Sequence, residues 1–203
     1  MPTRMDNGER CTPAKCETCH GPMDSPAFCD NCHSLYPADG LNHFELLGFL
    51  PSFDIDAAAL RQRYLQVSRG VHPDHHGRST DSSVSLRLSA QLNEAHRILS
   101  DPVLRAEYLL ELVGGTAASS DKSVLDGVLA TTLMLREETA EAKAASDTAA
   151  LDACRARARQ HYDTTLAQIA ALARQLPGDE GLRRRLRATL NSIKYYQKLL
   201  SEL

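Results

Sequence analysis

Residues 57–74 read Ala57-Ala58-Ala59-Leu60-Arg61-Gln62-Arg63-Tyr64-Leu65-Gln66-Val67-Ser68-Arg69-Gly70-Val71-His72-Pro73-Asp74. Leu60, Tyr64 and Val67 recur at i, i+4 and i+7, one face of an amphipathic helix. Arg61, Arg63 and Arg69 lie mostly off that face. Asp54 or Asp56 can cap the start. The helix has to stop near Val71, because a residue before proline avoids the α region. A polar loop runs through Ser83, and then Leu88, Leu92, Ala95 and Leu99 recur at spacings of 4, 3 and 4. Two amphipathic helices of similar length joined by a polar loop predict an antiparallel hairpin.

Outward from this hairpin the pattern stays helical. A short apolar segment, 41–50, is stopped by Pro51. Asp101-Pro102 starts a further helix, with aspartate as N-cap and proline at the first helical position. After turn-rich residues 114–122, Ser123-x-x-Asp126 resembles a capping box and predicts a helix from 123 to about 145. Leu151, Cys154, Ala158, Tyr162, Leu166, Ile169, Ala173 and Leu176 then form one long stripe, in which Cys154 reads as a buried apolar residue. Beyond Pro177-Gly178, the residues Leu182, Leu186, Leu190, Ile193 and Leu200 form another. These last three helices predict an antiparallel bundle. Strand-like alternation and internal repeats are missing, so the fold class is all-α. The expected division is 1–38, 39–113 and 123–203. With 203 residues, 42% apolar and 24% charged, the chain can bury a core. Its net charge of −3 gives no basic footprint for nucleic acid or anionic membrane, and no run is long enough to span a bilayer.

Five of the six cysteines, Cys11, Cys16, Cys19, Cys29 and Cys32, fall in the first 32 residues. A secreted disulfide scaffold spreads its bridges through a small chain. Residues 1–9 are polar, resembling neither a signal peptide nor a transit peptide. The expectation is a reducing compartment and a cytoplasmic protein. Cys16-x-x-Cys19 and Cys29-x-x-Cys32 stand nine residues apart and offer four soft donors. Zinc held by four thiolates is tetrahedral and closed, a structural site with no chemistry at the metal. Two redox pairs are the competing reading, but a thioredoxin-type pair asks for a βαβ context. Cys11, His20 and His33 are spare donors. The segment cannot bury a core of its own, so its folding is expected to depend on the metal. Arg10, Lys15, Phe28 and Tyr36 are few cations and aromatics for a nucleic-acid knuckle. A protein contact or support of the fold is the better expectation.

His72-Pro73-Asp74 opens the hairpin loop. Pro73 fixes φ and ends the helix, which holds Asp74 on an exposed turn, ready to meet a partner's arginine. The other readings are an ordinary proline-stopped helix and a catalytic His–Asp pair, for which no nucleophile stands nearby in sequence. A second candidate surface lies at 123–145. Leu125, Val128, Thr132 and Leu135 can face the bundle, while Leu129, Leu133, Glu137 and Glu141 step by four along another face. That face reads as a partner surface or as a wide core stripe with an acidic end. Arg183, Arg184, Arg185 and Arg187 alternate with Leu182 and Leu186 and read as a solvated helix face.

Phe44-Glu45-Leu46-Leu47-Gly48, the helix ending Val71-His72-Pro73-Asp74, and Leu92-Asn93-Glu94-Ala95-His96-Arg97-Ile98-Leu99-Ser100-Asp101-Pro102 together resemble a J domain. Leu104-Arg105-Ala106-Glu107-Tyr108-Leu109-Leu110, Leu135-Arg136-Glu137-Glu138 and Ile193-Lys194-Tyr195-Tyr196 narrow the resemblance to the HscB co-chaperones of iron–sulfur cluster assembly. It covers about residues 41–203, and the double CxxC is similar to the zinc module of some longer members. The resemblance implies a non-enzymatic protein that stimulates a DnaK/HscA-type chaperone ATPase and brings it the scaffold protein IscU. It places chaperone binding at His72, Pro73, Asp74, Arg61, Arg63 and Arg69. It places scaffold binding at Leu129, Leu133, Glu137, Glu141 and Tyr195. The sequence departs from the family pattern at His75-His76, where a Lys-aromatic pair is usual, and at Ala130 and Met134. The alternatives are a zinc-dependent nucleic-acid-binding helical protein and a J-domain protein for a different client.

Overall fold

Side-chain caps set where four of the helices begin. In the computed structural model, which describes residues 15–72 and 82–203, Asn42 opens α1 (His43–Leu46) with a capping box: it accepts from Glu45 N–H while the Glu45 carboxylate accepts from Asn42 N–H, both at 2.9 Å. Asp56 caps α2 (Ala57–Val71), Asp147 caps α6 (Thr148–Ala173) and Asp179 caps α7 (Glu180–Glu202). The other helices are α3 (Ser82–Ser100), α4 (Pro102–Leu112) and α5 (Val128–Ala144). All regular elements among the described residues are helices, apart from one isolated antiparallel bridge between Phe28 and Leu35.

The chain divides into two compact units between Asp101 and Pro102. In the first, α1 and α2 pack on α3. Leu88, Leu92, Ala95 and Leu99 of α3 are buried as their periodicity predicts; of the α2 stripe Leu60 and Val67 are buried and Tyr64 is half-buried, with Val71 completing the buried face. Tyr64 donates to Asn93 Oδ1 at 2.7 Å and stacks on His96. Ser85 Oγ donates to the Val71 carbonyl at 2.6 Å, which ties the end of α2 to the start of α3.

In the second unit α5, α6 and α7 pack pairwise as a three-helix bundle, and α4 packs on α6 and α7. Val103, Ala106, Leu109 and Leu110 bury the inner face of α4. This helix falls in the expected 39–113 segment yet packs with the C-terminal helices, because its apolar face finds its partners there. Cys154 is 4% exposed, within the core as its stripe predicts.

Two sequence expectations are corrected. The helix expected from 123 begins at Val128, after Gly127 at φ +79°. Residues 121–125 are held instead by α7. Asn191 Nδ2 donates to the carbonyls of Asp121 and Ser123, and Leu125 N–H donates to Ser192 Oγ, all at 2.9 Å. Those tertiary bonds satisfy backbone groups that a helix would otherwise have to pair. Arg187 is not part of a solvated face. It is 2% exposed, donates to the Thr116 carbonyl at 2.8 Å and pairs with Glu107 at 2.6 Å. Arg183 likewise donates to the Val113 carbonyl.

Arg187 is the buried member of the pair, whereas Glu107 is 28% exposed and keeps Lys194 at 3.6 Å, so what a substitution of Arg187 forfeits is the charge-assisted hydrogen bonds from its guanidinium to Glu107 and to the Thr116 carbonyl. Arg187→Met is therefore expected to destabilise the protein by about 2 kcal/mol, read from the urea midpoint. Arg185→Met, at an exposed position, should stay within about 0.5 kcal/mol. Equal effects would refute the buried-pair account.

Candidate metal centre and partner surfaces

The sulfur atoms of Cys16, Cys19, Cys29 and Cys32 all lie within 4.8 Å of one another. Cys16 and Cys32 are 3.5 Å apart, Cys19 and Cys29 3.7 Å. A disulfide would bring a pair to about 2.05 Å. A tetrahedron with metal–sulfur arms of about 2.3 Å has edges of about 3.8 Å. Four free thiols with these spacings fit a tetrahedral thiophilic ion such as zinc.

The two CxxC turns are built alike. Cys16 N–H donates to the Gly21 carbonyl at 2.8 Å, and His20 N–H to the Cys16 carbonyl at 2.9 Å. In the second turn Cys29 N–H donates to Ser34 at 3.0 Å, and His33 N–H to Cys29 at 2.9 Å. His20 and His33 occupy equivalent left-handed positions at φ +57° and +59°. Both are exposed and outside the sulfur cluster, so the spare histidine donors are not needed. Cys11 lies outside the described residues.

A second layer of polar groups points at the sulfurs. Asn31 Nδ2 donates to Cys19 Sγ at 3.3 Å, and Cys19 N–H to Cys16 Sγ at 3.4 Å. Tyr36 Oη accepts from Glu17 N–H at 3.1 Å and lies 2.9 Å from Cys16 Sγ, placed to donate its own proton there. Burial opposes ionisation of Cys16, but the hydrogen bonds from Tyr36 and the Cys19 amide outweigh it and bring the thiol down to about 5. The Cys32 amide favours the Cys29 thiolate, yet burial and the neighbouring Cys16 and Cys19 thiols push it up to about 11. Four sulfurs at this spacing resist carrying four charges unless a cation sits among them.

The module is fastened to α2. Arg63 donates from Nε to the Leu47 carbonyl at 3.2 Å and from Nη1 to Gln66 Oε1 at 3.0 Å. Its Nη2 donates to the Asp24 carbonyl, and the Asp24 carboxylate lies 3.6 Å away. Arg63 is thus 8% exposed, which corrects its expected place among the cations offered to a chaperone. Arg61 and Arg69 are exposed, and so is His72, which caps α2 with its N–H directed at the Arg69 carbonyl. Pro73, Asp74, His75 and His76 lie outside the described residues. Sequence reasoning missed Asp24, Phe28 and Tyr36 as supports of the site. A glycine inside a helix, Gly70, was the available signal that another chain segment approaches closely there.

On α5 the four stepped residues share an exposed stripe. Leu129 and Leu133 are 54% and 58% exposed, and Glu137 and Glu141 follow them into solvent. Val128, Thr132, Leu135 and Thr139 bury the other face. Met134, 56% exposed, widens the apolar patch, and Tyr195 on α7 is 37% exposed. Two leucines and a methionine are held in water on one helix, so this face is not a core stripe. Among the described residues no helix is long and apolar enough to cross a membrane.

No protein-family model matches the chain. A co-chaperone HscB homologue from Shewanella sp. strain W3-18-1 is 41% identical over 90 residues, 43% of this chain. The chain spans about half the length of that relative, 52%. The HscB homologue of Shewanella baltica strain OS155 is 33% identical over 169 residues, 80% of this chain and 95% of the relative. The crystal structure of human co-chaperone HscB superposes with a TM-score of 0.75 at 23% identity, covering 93% of this chain and 95% of that one. That share takes in the cysteine-bearing end as well as the helices. With nearly the full length of the Shewanella baltica relative matched and the same all-helical architecture, the chain belongs to the HscB co-chaperone family.

Proposed function

We propose that this protein stimulates the ATPase of a DnaK/HscA-type chaperone and delivers the iron–sulfur scaffold protein IscU to it, working in the cytoplasm without catalysing a reaction itself. The observation that carries the reading is the match along 95% of an HscB homologue. Two features of the surface support it. The exposed face of α2 carries Arg61 and Arg69 and ends at the exposed His72, leading into Pro73 and Asp74. The separate exposed stripe on α5 offers Leu129, Leu133, Glu137 and Glu141, with Tyr195 on α7, for the scaffold. On this reading residues 39–113 engage the chaperone, 123–203 the scaffold, and 1–38 form the metal module. The burial of Arg187 takes one cation of the 183–187 run out of reach of a nucleic acid, the alternative partner.

The mechanism is one of contact rather than chemistry. Asp74 accepts from an arginine of the chaperone, and Arg61 and Arg69 meet its acidic surface. On α5, Leu129 and Leu133 anchor the scaffold by burying apolar area, and the carboxylates downstream set orientation. Zinc on four thiolates has no free coordination position, so it supplies folding energy and no reactive centre. Cys16, Cys19, Cys29 and Cys32 would hold it, with Tyr36 and Asn31 orienting two of the sulfurs.

Asp74→Asn should abolish stimulation of the chaperone ATPase while leaving the far-UV spectrum unchanged; undiminished stimulation would exclude this mechanism. Leu133→Ala should weaken scaffold binding about tenfold in a titration calorimeter, without altering stimulation in the absence of scaffold. An unaltered Kd would remove α5 from the interface. The purified chain should carry one zinc per molecule by elemental analysis, and Cys29→Ser should lose most of it. Full retention in that variant would show that the four-cysteine assignment is wrong.

A further inference from the structure

The contact between the cysteine module and α2 suggests a role for the metal beyond holding its own loop. A Cβ added at Gly70 would stand 2.3, 2.4 and 2.5 Å from three ring atoms of Phe28. With the ring in place, no residue other than glycine fits there. Glycine weakens a helix relative to alanine, and this one sits in the last turn of α2, two residues before His72. Arg63 lies seven residues earlier on the same face and is fixed by Asp24. The module therefore grips α2 at two points, two helical turns apart. The face bearing Leu60, Val67 and Val71 is left for the core of the hairpin.

The grip depends on the sulfur cluster. Phe28 directly precedes Cys29, and its position is set by the bridge to Leu35 and by the Cys29 N–H bond to Ser34. The module's own apolar cluster consists of Cys16, Met23 and Cys29, with Cys19, Cys32 and Tyr36 packed against it. Four of those six are the cysteines themselves, so most of this cluster is held together through the sulfurs that a metal would join. A segment of this kind folds when it binds its ion. Loss of the ion frees Phe28 from Gly70 and Asp24 from Arg63. The last turn of α2 then keeps its glycine but loses the ring that covered it.

We infer that the cysteine module is a metal-dependent clamp on α2, so that occupancy by a thiophilic divalent cation sets the order of the helix end leading into His72-Pro73-Asp74. The link from that order to ATPase stimulation rests on the function proposed above; the clamp itself does not.

Hydrogen exchange on the full-length chain, zinc-loaded or stripped with a chelator, tests the clamp directly. Stripping should speed exchange of amides 68–72 by about tenfold or more and leave amides 150–172 of α6 unchanged. Gly70→Ala supplies a change of sign. In the stripped protein alanine should slow exchange at 68–72, as in any helix. In the loaded protein it should speed exchange there and weaken zinc retention, because its Cβ displaces Phe28. Phe28→Ala, which makes room rather than filling it, should speed exchange in the loaded protein only. Equal exchange with and without zinc, or the same sign for Gly70→Ala in both states, overturns the clamp. Stimulation by the loaded chain that is undiminished on stripping overturns its regulatory consequence. A loaded chain that never stimulates the ATPase refutes the functional reading, while the exchange data still decide the clamp.

Discussion

Helix α2 has to satisfy two neighbours at once, and much of the first unit depends on how it does so. Its apolar face, Leu60, Val67 and Val71, packs on α3 and makes the hairpin. A different face takes Arg63 and Gly70 to the cysteine module. The remaining face, with Arg61, Gln62, Leu65, Gln66 and Arg69, stays in water. The two packed faces fix the direction in which the helix ends, and so where His72 leaves it.

The second unit solves a separate problem with the same means. The long helices α6 and α7 bury one face each, and α4 and α5 close over them. Arg187 is at the hinge of the arrangement: its guanidinium joins Glu107 on α4 to the Thr116 carbonyl in the following loop. Core packing on α5 uses Val128, Thr132, Leu135 and Thr139, with both threonine hydroxyls donating back to their own helix at 2.8 and 2.6 Å. Polar side chains satisfied in this way can line a core, which leaves the leucines Leu129 and Leu133 free for the surface.

Local pattern made the hairpin, the three-helix bundle and the sulfur cluster legible in the sequence. Periods of three and four, Pro73 after His72, and the CxxC spacing are all short-range signals, and each depends on few neighbours. What the sequence hid were contacts between distant residues. A helical wheel shows Arg63 off the apolar face but cannot show a module arriving to cover it. Arg187 sat in an arginine-rich run, with its partner Glu107 eighty residues away. Ser123 and Asp126 matched a capping box, yet Asn191 and Ser192 of α7 had already engaged that backbone. The α5 stripe lay between these cases. Its period was visible, but whether Leu129 and Leu133 faced core or water was decided only by the packing of their neighbours.

On the proposed function, one protein carries two surfaces, one for a chaperone and one for the scaffold that the chaperone acts on. Steady-state ATP hydrolysis by a DnaK/HscA-type chaperone, measured with this protein alone, with IscU alone and with both, tests that joint role most directly. The account predicts that the two together raise the rate well above the sum of their separate effects. A rate equal to that sum, or no stimulation in any combination, would contradict it.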